Sequence, residues 1–224
     1  MAFAQLATNG LKRAVKQVEQ LQKQARFAQA VALTKSAQAA KNDLTREVES
    51  AFEKPTAYTR NSIYMQSASK KVLESKVGVK NLARRGTSPA EYLSAQVFGG
   101  QRELKPFAKV LQSAGLMPKG KFLVLGPSAP RNGSGNMSLA QFKKILRGLR
   151  SRSSASGGYF VGTIKGTQGV WLRRGKRVRL ILMFVDSARY RRRFEFFETA
   201  KQGFEKRFGL ELRKAFENAM SIAK

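Results

Sequence analysis

The 224-residue chain carries 43 Lys and Arg against 14 Asp and Glu, giving a net charge of +29 and a pI near 11.2, and it has no Cys and no His. Without Cys or His the usual zinc sites, a cysteine nucleophile and a histidine-based triad are excluded, and no metal or cofactor is expected. A positive surplus of this size cannot be neutralised internally, so it implies a polyanionic neighbour: nucleic acid, an anionic membrane or an acidic protein.

A hydrophobic share of 42% suffices for a sizeable core. The lack of disulfides suits a protein assembled in a reducing cytoplasm. No apolar run reaches the roughly 18 residues of a membrane span. Met1 to Thr8 is too short and too soon interrupted for a signal peptide, so the chain is read as soluble.

In chain order, Thr8 and Asn9 are good N-cap residues. After them Ala14, Val15, Val18, Leu21, Ala25, Ala28, Val31 and Ala32 recur at helical spacing, predicting one long helix or two. Small residues continue through Ser36, Ala37 and Ala40 to Leu44, Val48 and Phe52, a thin apolar stripe suited to close helix approach, and Pro55 ends it. Residues 1–54 are therefore read as an N-terminal helical segment and 55–224 as the core domain. Ile63–Met65 and Ser75–Val79 alternate as a two-stranded antiparallel pair. Arg84-Arg85-Gly86-Thr87-Ser88-Pro89 reads as a basic loop in which Ser88 caps a helix with Pro89 at its first position. That helix carries Tyr92 and Val97 and stops at Gly99-Gly100. A second runs from Leu104 to Ala114, with Gly115 as its C-terminal cap.

Pro118 to Asn136 holds four Gly and three Pro with little periodicity, so residues 116–137 are expected to form an extended, protruding loop. Ser138 then opens a short basic helix with Phe142, Ile145, Leu146 and Leu149 on one side and Lys143, Lys144, Arg147 and Arg150 around it. Ser151–Gly158 reads as a flexible joint. Strands are predicted at Tyr159–Ile164, Val170–Arg173 and Val178–Val185, with Gly166-Thr167-Gln168-Gly169 and Arg174-Gly175-Lys176 as hairpin turns. Phe194, Phe197, Ala200, Phe204, Phe208, Leu212, Phe216, Ala219 and Ile222 then trace a long amphipathic helix, bent near Gly209. Together these predict an α+β fold: a long N-terminal helix, an antiparallel sheet of four to five strands, and a long C-terminal helix covering the sheet.

Between Arg173 and Arg193 the sequence sets Arg173, Arg174, Lys176, Arg177, Arg179, Arg189, Arg191, Arg192 and Arg193 against a single acid, Asp186. The functional reading is a surface facing DNA phosphates or an acidic partner, since arginines grip backbone oxygens without reading base sequence. The bland alternative is a solvated hairpin and helix start. Trp171 and Tyr159 are read as core or interface aromatics and not as base-stacking platforms. The Gly-rich segments lack the Gly-Lys-Ser or Gly-Lys-Thr ending of a P-loop, and the acids are scattered, Glu49 and Glu53 sharing a helix face with no third ligand. No enzyme is expected. The small-residue and Phe-rich stripes exceed what one thin sheet can cover, and the surplus points to subunit contacts at Tyr92, Phe98, Phe122, Phe194 and Phe197.

The run Tyr92-Leu93-Ser94-Ala95-Gln96-Val97-Phe98-Gly99-Gly100, the helix Leu104-Lys105-Pro106-Phe107-Ala108 to Leu111 and Gly115, and the segments Gly126-Pro127-Ser128-Ala129 and Gly135-Asn136-Met137-Ser138 resemble the tail-completion or head-tail joining proteins of tailed phages, the group that includes the minor tail protein Z of lambda-like phages. Phe52-Glu53-Lys54-Pro55-Thr56 upstream, and Tyr159-Phe160-Val161-Gly162, Gly169-Val170-Trp171-Leu172-Arg173 and Leu182-Met183-Phe184-Val185 downstream, extend the likeness. It implies a structural virion protein of the neck or tail, assembled in the host cytoplasm as a homo-oligomeric ring of roughly six or twelve copies. The implied partners are portal, adaptor or tail-tube proteins and the genomic double-stranded DNA in the channel. A tail terminator, an assembly factor absent from the particle, and a free basic nucleic-acid-binding protein are the alternatives. A membrane-surface role is disfavoured, because core burial explains the aromatic stripes.

Overall fold

The computed structural model describes residues 2–82, 87–151 and 157–222. The first three residues of the expected basic loop at 84–89 and most of the expected joint at 151–158 lie outside the described residues. The described residues form helices α1 (Ala2–Ala51), α2 (Ala57–Arg60), α3 (Pro89–Val97), α4 (Pro106–Ser113), α5 (Leu139–Arg150) and α6 (Phe196–Ile222). The strands are β1 (Ile63–Gln66), β2 (Lys76–Val79), β3 (Gly100–Gln101), β4 (Phe122–Leu125), β5 (Gly157–Ile164), β6 (Thr167–Arg174), β7 (Arg177–Val185) and β8 (Arg189–Tyr190). The fold is α+β with antiparallel sheets between two long terminal helices. It divides into a helical unit (Met1–Ser50, Arg60–Lys80, Glu195–Lys224) and a sheet unit (Ala51–Thr59, Asn81–Phe194), whose segments interleave where the sequence reading placed one cut after residue 54.

In the helical unit α1 runs through Thr8 and Asn9, so neither is its N-cap. The residues before them, Ala2 to Ala7, include three Ala, Gln5 and Leu6, good helix formers that let the helix start earlier. Ala28, Ala32, Ser36, Ala37, Ala40, Leu44 and Val48 are buried along the expected small-residue stripe. Ala28 packs with Ala215 and Ala219 of α6. At the other end of the seam, a Cβ on Gly203 would sit 3.0 Å from the Cα of Ala40. The two helices are thus antiparallel neighbours, and Lys35 reaches Glu211 at 3.1 Å. The predicted β1–β2 pair is present, Ile63 opposite Val79.

Within the helical unit the C-terminal helix therefore lies along α1, and within the sheet unit α4 and α5 cover one face of the main sheet. Small side chains on both long helices allow a closer approach than a Phe-bearing helix has over a twisted sheet. Phe197, Leu210 and Met220 remain exposed on α6, as do Leu11, Val15, Val18 and Leu21 on α1.

In the sheet unit the main sheet is antiparallel with order β4-β7-β6-β5. Ala108 and Leu111 of α4 and Ile145 of α5 share a core with Leu123, Val170, Ile181, Leu182 and Phe184. Ser88 and Ser138 close capping boxes on α3 and α5 with Glu91 and Gln141, each satisfying two backbone donors at a helix start.

Residues 116–137, expected as a protruding loop, instead supply β4 and bury Met117, Leu123, Ala129 and Met137 in this core. The unbroken apolar run Phe122-Leu123-Val124-Leu125 carries the strand pattern, which the surrounding Gly and Pro obscured. The β5–β6 turn falls on Lys165-Gly166, both at positive φ (49° and 76°), earlier than the predicted Gly166–Gly169. Two positive φ values define the type I′ turn that suits strand twist. Gly169 belongs to β6, where a Cβ would lie 2.1 Å from the carbonyl oxygen of Leu182. The β6–β7 turn is the expected Gly175-Lys176, with Gly175 at φ +56°.

Candidate nucleic-acid interface

The basic hairpin end is shaped by an irregularity in the β6–β7 ladder. Val170 pairs with Leu182 but Trp171 pairs with Leu180, so Ile181 is an extra residue in β7. Because side chains alternate faces, one inserted residue reverses the facing of every β7 residue on the turn side of it. Leu172 is then opposite Arg179 and Arg174 opposite Arg177. These residues share the face on which Tyr159 and Leu172 meet the core. Arg173 lies on the other face, its guanidinium 5.3 Å from the centre of the Phe160 ring, and Lys176 sits in the turn. Arg173, Arg174, Lys176, Arg177 and Arg179 are all exposed, and none is ion-paired among the described residues. Like charges directly opposite across strands are destabilising, so an anion lying over Arg174 and Arg177 relieves a cost built into the free protein.

Helix α5 delivers more charge to this end. Its buried side holds Ile145, with Phe142, Leu146 and Leu149 half-buried against the core. Gly148 is packed so closely on Tyr159 that a Cβ there would lie 2.7 Å from the ring. Tyr159 pairs with Leu172, and Leu172 with Arg179, so at ~4.8 Å per strand the last turn of α5 lies within about 15 Å of Arg179. Arg147 and Arg150 are exposed in that turn, where their charge also favours the helix C-terminus.

The sequence grouped nine cationic residues into one cluster, whereas the structure brings them together as two groups. Arg189 and Tyr190 form β8, opposite Gln101 and Gly100. The backbone N–H groups of Arg193 and Phe194 both donate to the Gln96 carbonyl. Arg189, Arg191, Arg192 and Arg193 are exposed, but they follow the far end of β7. The six steps from Arg179 to Val185 at ~3.3 Å each separate the groups by roughly 20 Å. Asp186, the acid between the groups in sequence, pairs with Lys121 at 2.5 Å.

Near that far end, the Arg102 guanidinium donates to the Leu123 carbonyl. Desolvation by the surrounding protein, with help from the Arg102 charge, lowers the pKa of Lys105 to about 8, although the residue keeps part of its surface in solvent.

The signal that sequence reading passed over is a missing residue type. From Leu104 to Val185 there is no Asp or Glu, while the same stretch holds sixteen Lys and Arg, Arg147 and Arg150 among them.

The five expected interface positions divide. Phe98 is 71% and Phe197 57% exposed. Tyr92 is half-buried, its hydroxyl 3.1 Å from that of Thr59, and burial raises its pKa despite that hydrogen bond. Phe122 is buried in β4. Phe194 is fully buried and edge-on to Phe52, at the end of the sheet unit and before α6 begins. Trp171 is 9% exposed and donates its indole N–H to the Gly162 carbonyl at 3.0 Å.

Among the described residues no group of three or more acids, Cys or His is placed to hold a metal ion, and no helix is long and apolar enough to cross a membrane. Comparison with protein-family models, curated proteins and solved structures gives no match to this chain.

Proposed function

We propose that this chain is a structural protein of a tailed-phage particle, completing the tail or joining it to the head as an oligomeric ring around the DNA channel. The observation that carries the reading is the exposed, acid-free basic end of the sheet unit, where Arg174 and Arg177 face each other across the hairpin without an ion-pair partner among the described residues. Such a surface suits a polyanion that must be held or passed without sequence preference. The motifs from Tyr92 to Ser138 that resemble the tail-completion and head-tail joining proteins supply the assembly context. In that context Phe98 and Phe197 are the expected interface residues that remain exposed for contact with neighbouring copies.

Mass spectrometry of purified, DNA-filled particles, calibrated against a known neck ring, tests this. A closed ring predicts roughly six or twelve copies per particle. Complete absence from the particle would leave an assembly factor or a free nucleic-acid-binding protein, the second of which the net charge of +29 favours.

A further inference from the structure

We infer that the chain grips DNA with a clamp of three elements, β6, β7 and the last turn of α5, and that the Arg189–Arg193 group stands outside it. This rests on the DNA-facing reading above and names the residues and the form of nucleic acid. Arg174, Lys176, Arg177 and Arg179 come from the hairpin, and Arg147 and Arg150 from the helix packed beside it, while Arg173 lies on the opposite face over the Phe160 ring. The β7 bulge turns Arg177 and Arg179 to the same face as Arg174, which is also the face over which α5 lies.

The ligand is the backbone of duplex DNA. Binding of single strands relies on aromatic faces open to stacked bases, and the aromatics at this end are engaged. Phe160 has the Arg173 guanidinium near its ring, Tyr159 lies against Gly148, and Trp171 is buried with its N–H bonded. What remains is a cluster of exposed cations, which phosphates satisfy without regard to sequence.

The test is the salt dependence of binding of the full chain to a mixed-sequence duplex of about 30 base pairs, where log K falls with log salt by about 0.9 for each phosphate neutralised. Replacing Arg174, Lys176, Arg177 and Arg179 together by Gln should flatten the slope by about 2.5 to 3.6, and R147Q/R150Q by about 1 to 2. R189Q/R191Q/R193Q should change it by less than about 0.5. A lysine version of the hairpin set should keep the wild-type slope, and thermal unfolding of each variant separates lost contact from lost fold.

If the wild-type chain binds duplex DNA without a steep salt slope, or not at all, the DNA-facing reading itself fails. If the wild type binds steeply but the slope falls as much in the Arg189, Arg191 and Arg193 set as in the hairpin set, the clamp is wrong while that reading stands. Displacement of the duplex by polyglutamate at equal charge concentration would identify an acidic protein as the partner and also overturn the clamp.

Discussion

The two units of this chain carry positive charge to different degrees. The helical unit has 19 Lys and Arg against ten Asp and Glu, a net +9, and its acids are used locally: Glu211 with Lys35, Asp43 with Arg46, Glu74 with Lys76 and Glu205 with Lys201. The sheet unit has 24 against four, a net +20, and Asp186 there is engaged by Lys121. Both units bury apolar side chains completely, Leu44 and Val48 in one and Leu182 and Val170 in the other. Core formation is common to the two units, and charge distinguishes them. Both units keep cations that their own acids cannot satisfy, and the surplus in the sheet unit is about twice that in the helical unit.

The sharpest way to break this comparison is to attack each core. Leu182→Ala and Leu44→Ala, both at wholly buried positions, should each cost about 3 to 4 kcal/mol in chemical denaturation. A much smaller loss at either site would mean that its unit lacks the close packing argued here. Glycine contacts come next. Gly169→Ala sets a Cβ against the backbone carbonyl of Leu182 and should cost about 2 to 3 kcal/mol. At Gly203 the nearest atom is the Asp43 carboxylate, which can swing away, but the Cα of Ala40 at 3.0 Å belongs to the α1 backbone and must give, so Gly203→Ala should cost about 1 to 2 kcal/mol.

The charge contrast is sharpened by Arg177→Glu. Placing an acid opposite Arg174 should stabilise the sheet unit by about 0.2 to 1 kcal/mol while weakening duplex binding. Loss of stability together with binding would show that the arginine is needed for folding and not kept for a ligand. Val18→Ser, on the exposed run of α1, should shift stability by no more than about 0.5 kcal/mol.

Smallest is a pH effect at Lys105. Its folded pKa of about 8 lies below the ordinary lysine value of 10.5, so between these values the unfolded chain binds more protons and stability rises with pH. The residue keeps solvent exposure, so screening makes the rise slight, and Lys105→Gln should abolish it in pH-dependent thermal unfolding.

Much of the fold was legible because local chemistry and tertiary structure agree. Ser88-Pro89 and Ser138 announced helix starts, Gly99-Gly100 a stop, and the Ala and Ser stripe of α1 a close helix seam. What misled was local chemistry overruled at a distance. Gly and Pro around Phe122–Leu125 read as loop, yet the strand is formed by pairing with β7, more than 50 residues later. The partner of α6 was equally non-local, since its Phe stripe suits a sheet and a helix alike.

The basic site was half legible. Residue types marked the hairpin, but nearness in sequence joined it to Arg189–Arg193, which the length of β7 separates. Arg147 and Arg150 were legible as part of a basic helix, Lys143 to Arg152, that could serve the same surface or be a plain surface helix, and the contact of α5 with Tyr159 is what brings them beside the hairpin.

The most direct measurement is chemical cross-linking of this chain to the genome inside intact, DNA-filled particles, with the attached peptides mapped by mass spectrometry. The account predicts cross-links in the α5 segment around Arg147 and Arg150 and in the hairpin from Arg174 to Arg179. Particles that hold the chain in full copy number yet yield no DNA-linked peptide, or only peptides spanning Arg189–Arg193, would contradict it.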